Sequence, residues 1–288
     1  MLKEILKKVR KYEIEIRKFI NNSYQGDYKS LFKGTGLDFD DLRLYNYGDD
    51  HRSINWKTSA KEDKVFINTY KEEKEQSVFF LLDVSNSQNI GDKKKINISK
   101  EIASVLCLSA IRKNSQVGLL CYSDRKETFL KPDKGNSHAY RFIKKLYNIK
   151  NTSNKTDLNG MFRYFLNTIK KKSLVIIISD FIDKNYNKSL KSLSGLHDVI
   201  CIHINDKTEM KIPNLGLIEV ENNELFNKKW INTSSSEFKK ITENTFYNDP
   251  NEFKKFLKKI NTNYLEVSTD KDYLKDLIKL FKIRNTNR

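Results

Sequence analysis

The sequence predicts an α/β protein with a Rossmann-like, doubly wound and mostly parallel sheet, preceded by an N-terminal helix and a small extension of loops and short strands. From residue 77 onward, short runs of apolar and β-branched residues alternate with longer segments that have the apolar spacing of helices. Strands separated by single helices favour a parallel sheet with helices on both faces. An apolar fraction of 38% and a charged fraction of 32% in 288 residues suit a folded soluble chain better than a disordered one.

The first twenty residues predict an amphipathic helix that packs on its own protein. Its apolar side chains recur at helical spacing, at Leu2, Ile5, Leu6, Val9 and Ile16. Because the segment is charged throughout, it is neither a signal peptide nor a membrane span. Residues 21–64 have little helical period and predict loops and short strands, with a strand over 65–75. We predict a helix-and-extension segment over 1–75 and a sheet domain over 76–288.

The sheet domain is predicted to alternate strands with helices to its end. Strands are predicted over 77–83, 116–123, 126–132, 173–180, 197–204, 215–221 and 263–268. Helices are predicted over 94–113, 137–149, 156–171, 251–262 and 270–284. The uninterrupted apolar runs in the strands over 77–83 and 173–180 predict burial on both faces. In such sheets, ligands bind at the carboxyl ends of the strands.

The formal net charge of +17 suggests, as one alternative, a surface for nucleic acid or anionic membrane. The lysines are spread along the whole chain, however, with no basic stripe among aromatic residues and no helix-turn-helix or zinc-finger spacing. Nucleic acid is therefore the less favoured partner, and any membrane contact would be peripheral. Cys107, Cys121 and Cys201 are widely spaced in apolar segments and predict reduced core residues of a cytoplasmic protein.

Two of the predicted buried strands end in an acid, Asp83 in one case and Asp180 in the other. In a parallel sheet both acids lie at the same edge. Asp83, Ser85 and Ser87 form a D-x-S-x-S pattern, and alternate residues of a loop can point the same way. One carboxylate and two hydroxyls could then converge on a hard cation such as Mg²⁺, which prefers six oxygen ligands.

Thr156, just before a predicted helix, could add a further hydroxyl. Alternatively, Thr156 or Asp157 only caps that helix, and Ser85 and Ser87 are ordinary turn residues. Each element alone occurs by chance. Here D-x-S-x-S follows a buried strand, T-D-L comes next in the chain, and S-D ends another buried strand, so the ordered set is far more specific.

This ordered set resembles the von Willebrand factor A domain and its metal-ion-dependent adhesion site. The resemblance implies Mg²⁺ or Mn²⁺ bound partly through water, with a partner's Glu or Asp completing the coordination. The liganding positions that it implies are Asp83, Ser85, Ser87, Thr156 and Asp180. Residues 179–181 read Ser-Asp-Phe where many members have Thr-Asp-Gly, which keeps the acid.

Residues 34–61 are similar to the signature of the bacterial domain of unknown function 58 family. Asp38 stands where Glu is usual and Lys61 where Arg is usual, so both charges are kept. The matching positions are Gly34, Gly36, Phe39, Leu42, Arg43, Tyr45, Gly48, Asp49, Asp50, Arg52, Ile54, Trp56, Lys57 and Ala60. The resemblance covers most of the chain from about residue 34 and implies the short form without membrane helices.

The charged signature residues predict a structural role. We expect an ion-pair network around Trp56 that docks the segment on the sheet domain, formed by Arg43, Asp49, Asp50, Arg52 and Lys57. A partner-binding surface is the alternative.

Catalysis is not predicted. Phosphatases with an aspartyl nucleophile place a second acid two residues after the first, where this chain has Ser85, and the P-loop and G-x-S-x-G motifs are absent. A metal-dependent hydrolase is therefore the least favoured function. The family resemblance implies a non-catalytic, metal-dependent interaction module that serves a MoxR-type AAA+ ATPase as adaptor or chaperone partner. Its expected partners are that ATPase and an acidic client protein, without a small-molecule substrate.

Overall fold

The computed structural model describes residues 7–15, 37–62, 64–72, 77–89, 94–149, 153, 155–206, 216–222, 227–235 and 250–286. Its contacts form two compact units, a smaller one within residues 33–75 and a larger one made of the rest. Helix α1, residues 7–15, belongs to the larger unit and not to the predicted helix-and-extension segment over 1–75. Residues 1–6 and 16–20 of the predicted N-terminal helix lie outside the described residues, as do Gly34 and Gly36 of the signature.

The smaller unit is an antiparallel strand pair with a short helix between the strands. Its elements are β1 (Leu37–Leu44), α2 (Trp56–Glu62) and β2 (Phe66–Glu72). The sequence predicted no helix here, and Asn55 explains why one forms. The Asn55 side chain accepts a hydrogen bond from the Thr58 N–H at 3.1 Å and so caps the first turn. The Phe66 N–H donates to Ser59 Oγ at 2.9 Å, which ties α2 to β2.

The larger unit contains the predicted strands and helices in the predicted order. After α1 they are β3 (Ser77–Asp83), α3 (Lys95–Arg112), β4 (Gln116–Tyr122), β5 (Lys126–Asp133), α4 (Asn136–Tyr147), α5 (Leu158–Thr168), β6 (Leu174–Ser179), α6 (Asn187–Leu196), β7 (Asp198–Asn205), β8 (Leu217–Asn222), β9 (Asn227–Asn232), α7 (Pro250–Lys259), β10 (Asn263–Ser268) and α8 (Leu274–Thr286). Strand β9 and helix α6 were not predicted. No helix in the described ranges is long and apolar enough to cross a membrane.

Six strands form one sheet in the order β10-β7-β6-β3-β4-β5. Neighbouring strands are parallel except β5, which runs antiparallel to β4, so the predicted doubly wound, mostly parallel sheet is confirmed. The predicted strand over 215–221 does not join it, because β8 pairs with β9 in a separate antiparallel hairpin. The winding reverses between β3 and β6, and the sheet edge at the carboxyl ends of these two strands, where ligands bind in such sheets, is here called the crevice.

The sheet has helices on both faces. Helices α3, α4 and α8 cover one face, while α5, α6 and α7 cover the other. Every residue of β3 is buried, with Phe80 stacked edge-on against Phe142 on one side and Phe79 against Phe165 on the other. The three cysteines are buried free thiols of this core, as predicted, and burial raises the pKa of each.

Helix α1 packs on the larger unit, as its amphipathic pattern predicts. Val9 is completely buried in the cluster formed by α3, α4 and α8. The Lys8 ammonium lies 2.9 Å from Glu101, and Arg112 lies 3.2 Å from the buried Glu13 carboxylate. Both ion pairs join α1 to α3.

Candidate metal centre

The two acids that end buried strands lie together at one edge of the sheet. In the parallel pair of β3 and β6, Leu82 lies opposite Ile178, so the residues that follow reach the same edge. Asp83 is the last residue of β3, and Asp180 directly follows β6. Both side chains are buried, and the charge of Asp180 is close enough to raise the pKa of Asp83. The crevice of the sheet therefore contains an acidic pair.

Asp83 accepts hydrogen bonds from uncharged donors. The Ser85 N–H donates to Oδ1 at 2.9 Å, and Ser179 Oγ donates to Oδ2 at 2.9 Å. Gln88 Nε2 donates to Oδ2 at 3.3 Å. Burial raises the pKa of Asp83 to about 6, the charge of Asp180 acts in the same direction, and the hydrogen bonds from Ser85 and Ser179 oppose them. A cation beside Asp83 would therefore stabilise its ionised form.

Ser85 and Ser87 present neighbouring hydroxyl groups, with their Oγ atoms 3.0 Å apart. Ser85 is completely buried, and Ser87 lies in the short 3₁₀ turn Asn86–Asn89. The interpretation of these serines as turn residues therefore fits Ser87. The turn nevertheless brings Ser87 against Ser85, and it also carries Gln88 back to Asp83.

The two residues directly before α5 have different roles: one caps the helix, and the other has a buried hydroxyl. Asp157 caps the helix, because its Oδ1 accepts a hydrogen bond from the Gly160 N–H at 2.7 Å. Thr156 Oγ1 is buried and finds no hydrogen-bond partner in the described part of the chain. A buried hydroxyl without a partner costs about 1–3 kcal/mol, so a bound ligand here would remove a penalty.

The predicted donors comprise two carboxylates and three hydroxyls, which suits a hard divalent cation. Direct contacts join Asp83, Ser85 and Ser87, and an electrostatic interaction couples Asp83 to Asp180. No group of three or more His, Cys, Asp or Glu side chains in the described ranges could hold a metal. An ion here would therefore depend on hydroxyl oxygens, which fit Mg²⁺ or Mn²⁺ better than metals that prefer thiolate.

Lys95, which is not among the predicted site residues, brings a positive charge to the site. Its Nζ lies 2.6 Å from Asp180 Oδ2, and neither side chain is more than 1% exposed. The signal in the sequence is weak but present: Lys95 falls on the same helical face as the buried Ile98, Ser99 and Ile102. A lysine on the buried face of a helix needs an acidic partner, but the spacing does not say which acid.

The departure at residue 181 is accommodated by packing. Phe181 stands where many members of the resembled family have Gly, and its φ of 54° is the left-handed conformation that glycine favours. Its buried ring packs against Phe253 with the ring centroids 4.7 Å apart. The Tyr186 hydroxyl donates a hydrogen bond to the Phe181 carbonyl at 3.2 Å. These contacts offset the backbone strain and fix the loop that carries Asp180.

The signature residues of the smaller unit form a narrower network than predicted. Arg43 makes a bidentate pair with Asp49, with N–O distances of 2.7 and 2.8 Å, and Asp50 caps a 3₁₀ turn by accepting from the Arg52 N–H. Trp56 is 70% exposed, so the expectation of a network that surrounds it is wrong. The other signature residues are placed as follows: Gly48 at a φ of 103°, Tyr45 bonded through its N–H to the Val65 carbonyl, and Lys57 exposed on α2.

A family profile described as "Protein of unknown function DUF58" matches residues 41–248. Among curated proteins, "Uncharacterized protein Rv1480" of Mycobacterium tuberculosis is 20% identical over 221 residues, which is 75% of this chain and 70% of that protein. "Uncharacterized protein Mb1516" of Mycobacterium bovis matches with the same identity and coverage.

Among solved structures, the chain is similar to the conserved hypothetical protein BatB from Bacteroides thetaiotaomicron, at 12% identity and a TM-score of 0.47, over 74% of this chain and 100% of that one. It is also similar to the SpRpn10 VWA domain, at 9% identity and a TM-score of 0.40, over 71% and 94% of the two chains. A third similar structure is proximal thread matrix protein 1 from the mussel byssus with a zinc-occupied MIDAS motif, at 14% identity and a TM-score of 0.38, over 72% and 69%.

Proposed function

The chain belongs to the DUF58 family, and from that premise we propose that it is a non-catalytic, metal-dependent protein-interaction module. The residues that would hold a divalent ion are Asp83, Ser85, Ser87, Thr156 and Asp180. Such an ion, Mg²⁺ or Mn²⁺, would supply Lewis-acid attraction for an anionic oxygen. The observations that carry the proposal are the buried acidic pair of Asp83 and Asp180, with Ser85 and Ser87 in direct contact with it or with each other, and a buried Thr156 hydroxyl that has no hydrogen-bond partner in the described part of the chain.

The chain's own residues prepare this site for a partner. Ser179 and the Ser85 N–H hold the Asp83 carboxylate in one orientation, so its oxygens are already ordered. The loop after β6 is fixed by the buried ring of Phe181, while the neighbouring Ile182 is 42% exposed. An apolar side chain at the rim would help to exclude water from a contact made there, and electrostatic attraction is stronger where water is excluded.

The proposed partners are a MoxR-type AAA+ ATPase and an acidic client protein, which the family resemblance implies. The net charge of +17 supports an acidic partner, since it would speed the encounter without determining its specificity. We propose no catalysis, because the sequence has neither a P-loop nor a G-x-S-x-G motif, and Ser85 stands where an aspartyl phosphatase has its second acid. His203 is buried, its Nδ1 lies 2.8 Å from the Tyr264 hydroxyl, and burial lowers its pKa, so it is a structural residue.

A pull-down of the purified MoxR-type ATPase of the same organism tests this proposal. Binding should be lost in EDTA, return with Mg²⁺ or Mn²⁺, and fall sharply in Asp83→Ala and Thr156→Ala. Asp133→Ala is the matched control, because it removes the same charge from a surface ion pair with Arg141. Equal binding in EDTA and in Asp83→Ala would refute the metal-dependent contact.

The alternative is a nucleic-acid or anionic membrane surface, which the net charge of +17 alone favours. It predicts binding to DNA or to vesicles of anionic lipid that falls steeply with salt and ignores EDTA. The same protein preparations distinguish the two functions, because only the first depends on Asp83 and Thr156.

A further inference from the structure

We propose that Lys95 is an internal counter-cation of the metal site. In the metal-free protein its ammonium group neutralises Asp180. It competes with a divalent ion for that carboxylate, and it makes the metal-loaded site more positive, which favours an anionic partner. This inference rests on the proposed function, because it concerns the same site.

The contact between Lys95 and Asp180 is short and dry. Nζ lies 2.6 Å from Oδ2, and the two side chains are 0% and 1% exposed. A charge-assisted hydrogen bond of this length is strong, and in the interior it is not screened by water or salt. The pair joins the first turn of α3 to the end of β6, 85 residues further along the chain. The fold therefore places an ammonium group inside the acidic crevice.

The ammonium group is directed to one of the two acids. The donors to Asp83 described above are a backbone N–H, a hydroxyl and an amide, all of them neutral. Asp180, in contrast, accepts from Lys95 on Oδ2 and from the Ile182 N–H on Oδ1 at 3.2 Å. A divalent ion that approaches Asp180 must therefore share a carboxylate that already has a cation beside it.

The charge balance of the site follows from this placement. From the sequence alone, two carboxylates would balance one divalent ion. Lys95 adds one positive charge beside Asp180, so the site is less negative by one charge than the two carboxylates alone would make it, both before and after a divalent ion binds. Such a site binds a metal ion more weakly by itself. An additional carboxylate from a partner therefore increases its affinity for the metal by more. Lys95 would thus couple metal retention to the presence of an acidic partner.

A positioning role is the competing explanation. If Lys95 only orients Asp180 for the metal, its removal should weaken metal binding. If Lys95 competes with the metal, its removal should strengthen metal binding. The two explanations therefore predict opposite signs for the same variant.

The test uses Lys95→Met, which keeps most of the length of the side chain and removes its charge. By titration calorimetry with Mn²⁺ and Mg²⁺, we expect Lys95→Met to bind at least about tenfold more tightly than the unmodified protein. In EDTA the variant should melt at a lower temperature, because Asp180 is left buried without its counter-ion, and Mn²⁺ should raise its melting temperature by more. The control is Lys94→Met, which removes the same charge from an exposed neighbouring residue and should leave the affinity unchanged within about twofold.

The outcomes separate this inference from the proposed function. Equal or weaker metal binding by Lys95→Met, while the unmodified protein binds, overturns the inference and leaves the proposed function intact. Metal binding by Lys95→Met alone supports the inference and overturns metal-dependent adhesion by the unmodified chain. No binding by either protein overturns both.

A second measurement covers the case in which Lys95→Met does not fold even with Mn²⁺. The buried ammonium group of Lys95 can be followed by nitrogen-15 NMR in the unmodified protein. Its signal should shift on addition of Mg²⁺, because the contact with Asp180 is then shared with the ion. A signal that stays unchanged while calorimetry reports Mg²⁺ binding overturns the inference.

Discussion

Thr156 is a residue whose side chain costs stability in the metal-free protein. Its Oγ1 is buried without a hydrogen-bond partner in the described part of the chain, while the adjacent Asp157 makes the helix cap. Protein interiors rarely retain such groups, because each loses its hydrogen bonds to water without replacement. A buried hydroxyl of this kind, at one of the predicted ligand positions, is what the proposed binding site requires.

Replacing Thr156 with Val, which has nearly the same shape, tests this interpretation. In EDTA we expect the free energy of unfolding to stay equal or to rise by about 1 kcal/mol, because an unsatisfied polar group is removed. Mn²⁺ affinity, measured by calorimetry, should fall about tenfold or more. Thr269→Val is the control: Thr269 Oγ1 donates to the buried Asp206, so this variant should lose stability. Similar losses of stability in both variants would show that the Thr156 hydroxyl makes a hydrogen bond in the folded protein.

Asp83 gives the metal-free protein a specific dependence on pH. Its pKa is about 6 in the folded protein and about 4 in the unfolded chain, so the folded state binds more protons between these values. Stability should therefore fall as the pH rises from 4 to 6, by roughly 3 kcal/mol at most, and stay reduced above that range. Urea unfolding in EDTA across this range should show the decrease, and Asp83→Asn should reduce it. An unchanged slope in Asp83→Asn would contradict the raised pKa.

At the scale of elements, three chain segments meet at the crevice for different physical reasons. Strand β3 has large apolar side chains on both faces, so its first polar residue appears where the strand leaves the core, at Asp83. Helix α5 begins where Asp157 can cap it, which fixes Thr156 just outside its first turn. Helix α3 directs its buried face to the sheet and so brings Lys95 to Asp180.

The start of α5 can be tested through Gly160. A Cβ atom there would overlap the Asp157 carboxylate that caps the helix, so Gly160→Ala should disrupt the cap and cost about 1 kcal/mol. Because the cap fixes the residue before it, Mn²⁺ affinity should also fall. Gly195→Ala is the matched control in the last turn of α6, where the added methyl group meets open space and should stabilise slightly. Equal melting temperatures for the two variants would argue against this role of the cap.

At the scale of the whole molecule, the net positive charge and the two compact units influence partner binding more than any single contact does. A net charge of +17 raises the rate of encounter with an acidic partner, and this effect weakens with salt, whereas a metal–carboxylate contact at a buried site is screened much less. The smaller unit exposes Trp56 on its helix and Tyr47 in the loop after β1. Exposed aromatic side chains are common in protein interfaces, which favours the partner-binding interpretation of the signature.

Trp56→Ala should therefore leave stability nearly unchanged. With 70% of Trp56 exposed, we expect a change of less than about 1 kcal/mol in the free energy of unfolding. Phe80→Ala, which empties a fully buried position of the sheet, should cost about 3–5 kcal/mol. Urea unfolding of the two variants gives the comparison, and ATPase pull-down shows whether Trp56 contributes to binding. A loss of stability in Trp56→Ala as large as that in Phe80→Ala would instead indicate a structural role for Trp56.

The sequence by itself determined the alternation of most strands and helices, the parallel sheet and the family, but not α2, α6 or β9. It also determined that Asp83 and Asp180 reach the same edge. These features depend on local periodicity and on the general handedness of strand–helix connections, so they can be deduced from one chain. The carboxylate and hydroxyl residues of the candidate site could be predicted for the same reason. Each of them lies next to the end of a strand or helix, and the apolar pattern of the sequence shows where that strand or helix ends.

Only the tertiary structure decided what these side chains contact. The pairing of Lys95 with Asp180 joins residues 85 positions apart, and it depends on how α3 packs on the sheet. The missing partner of Thr156, the exposure of Trp56 and the separation of the β8–β9 hairpin from the sheet depend equally on the packing of distant segments. Local patterns do not encode such contacts, because the partner of a side chain is set by the three-dimensional register of its element and not by its neighbours in the chain.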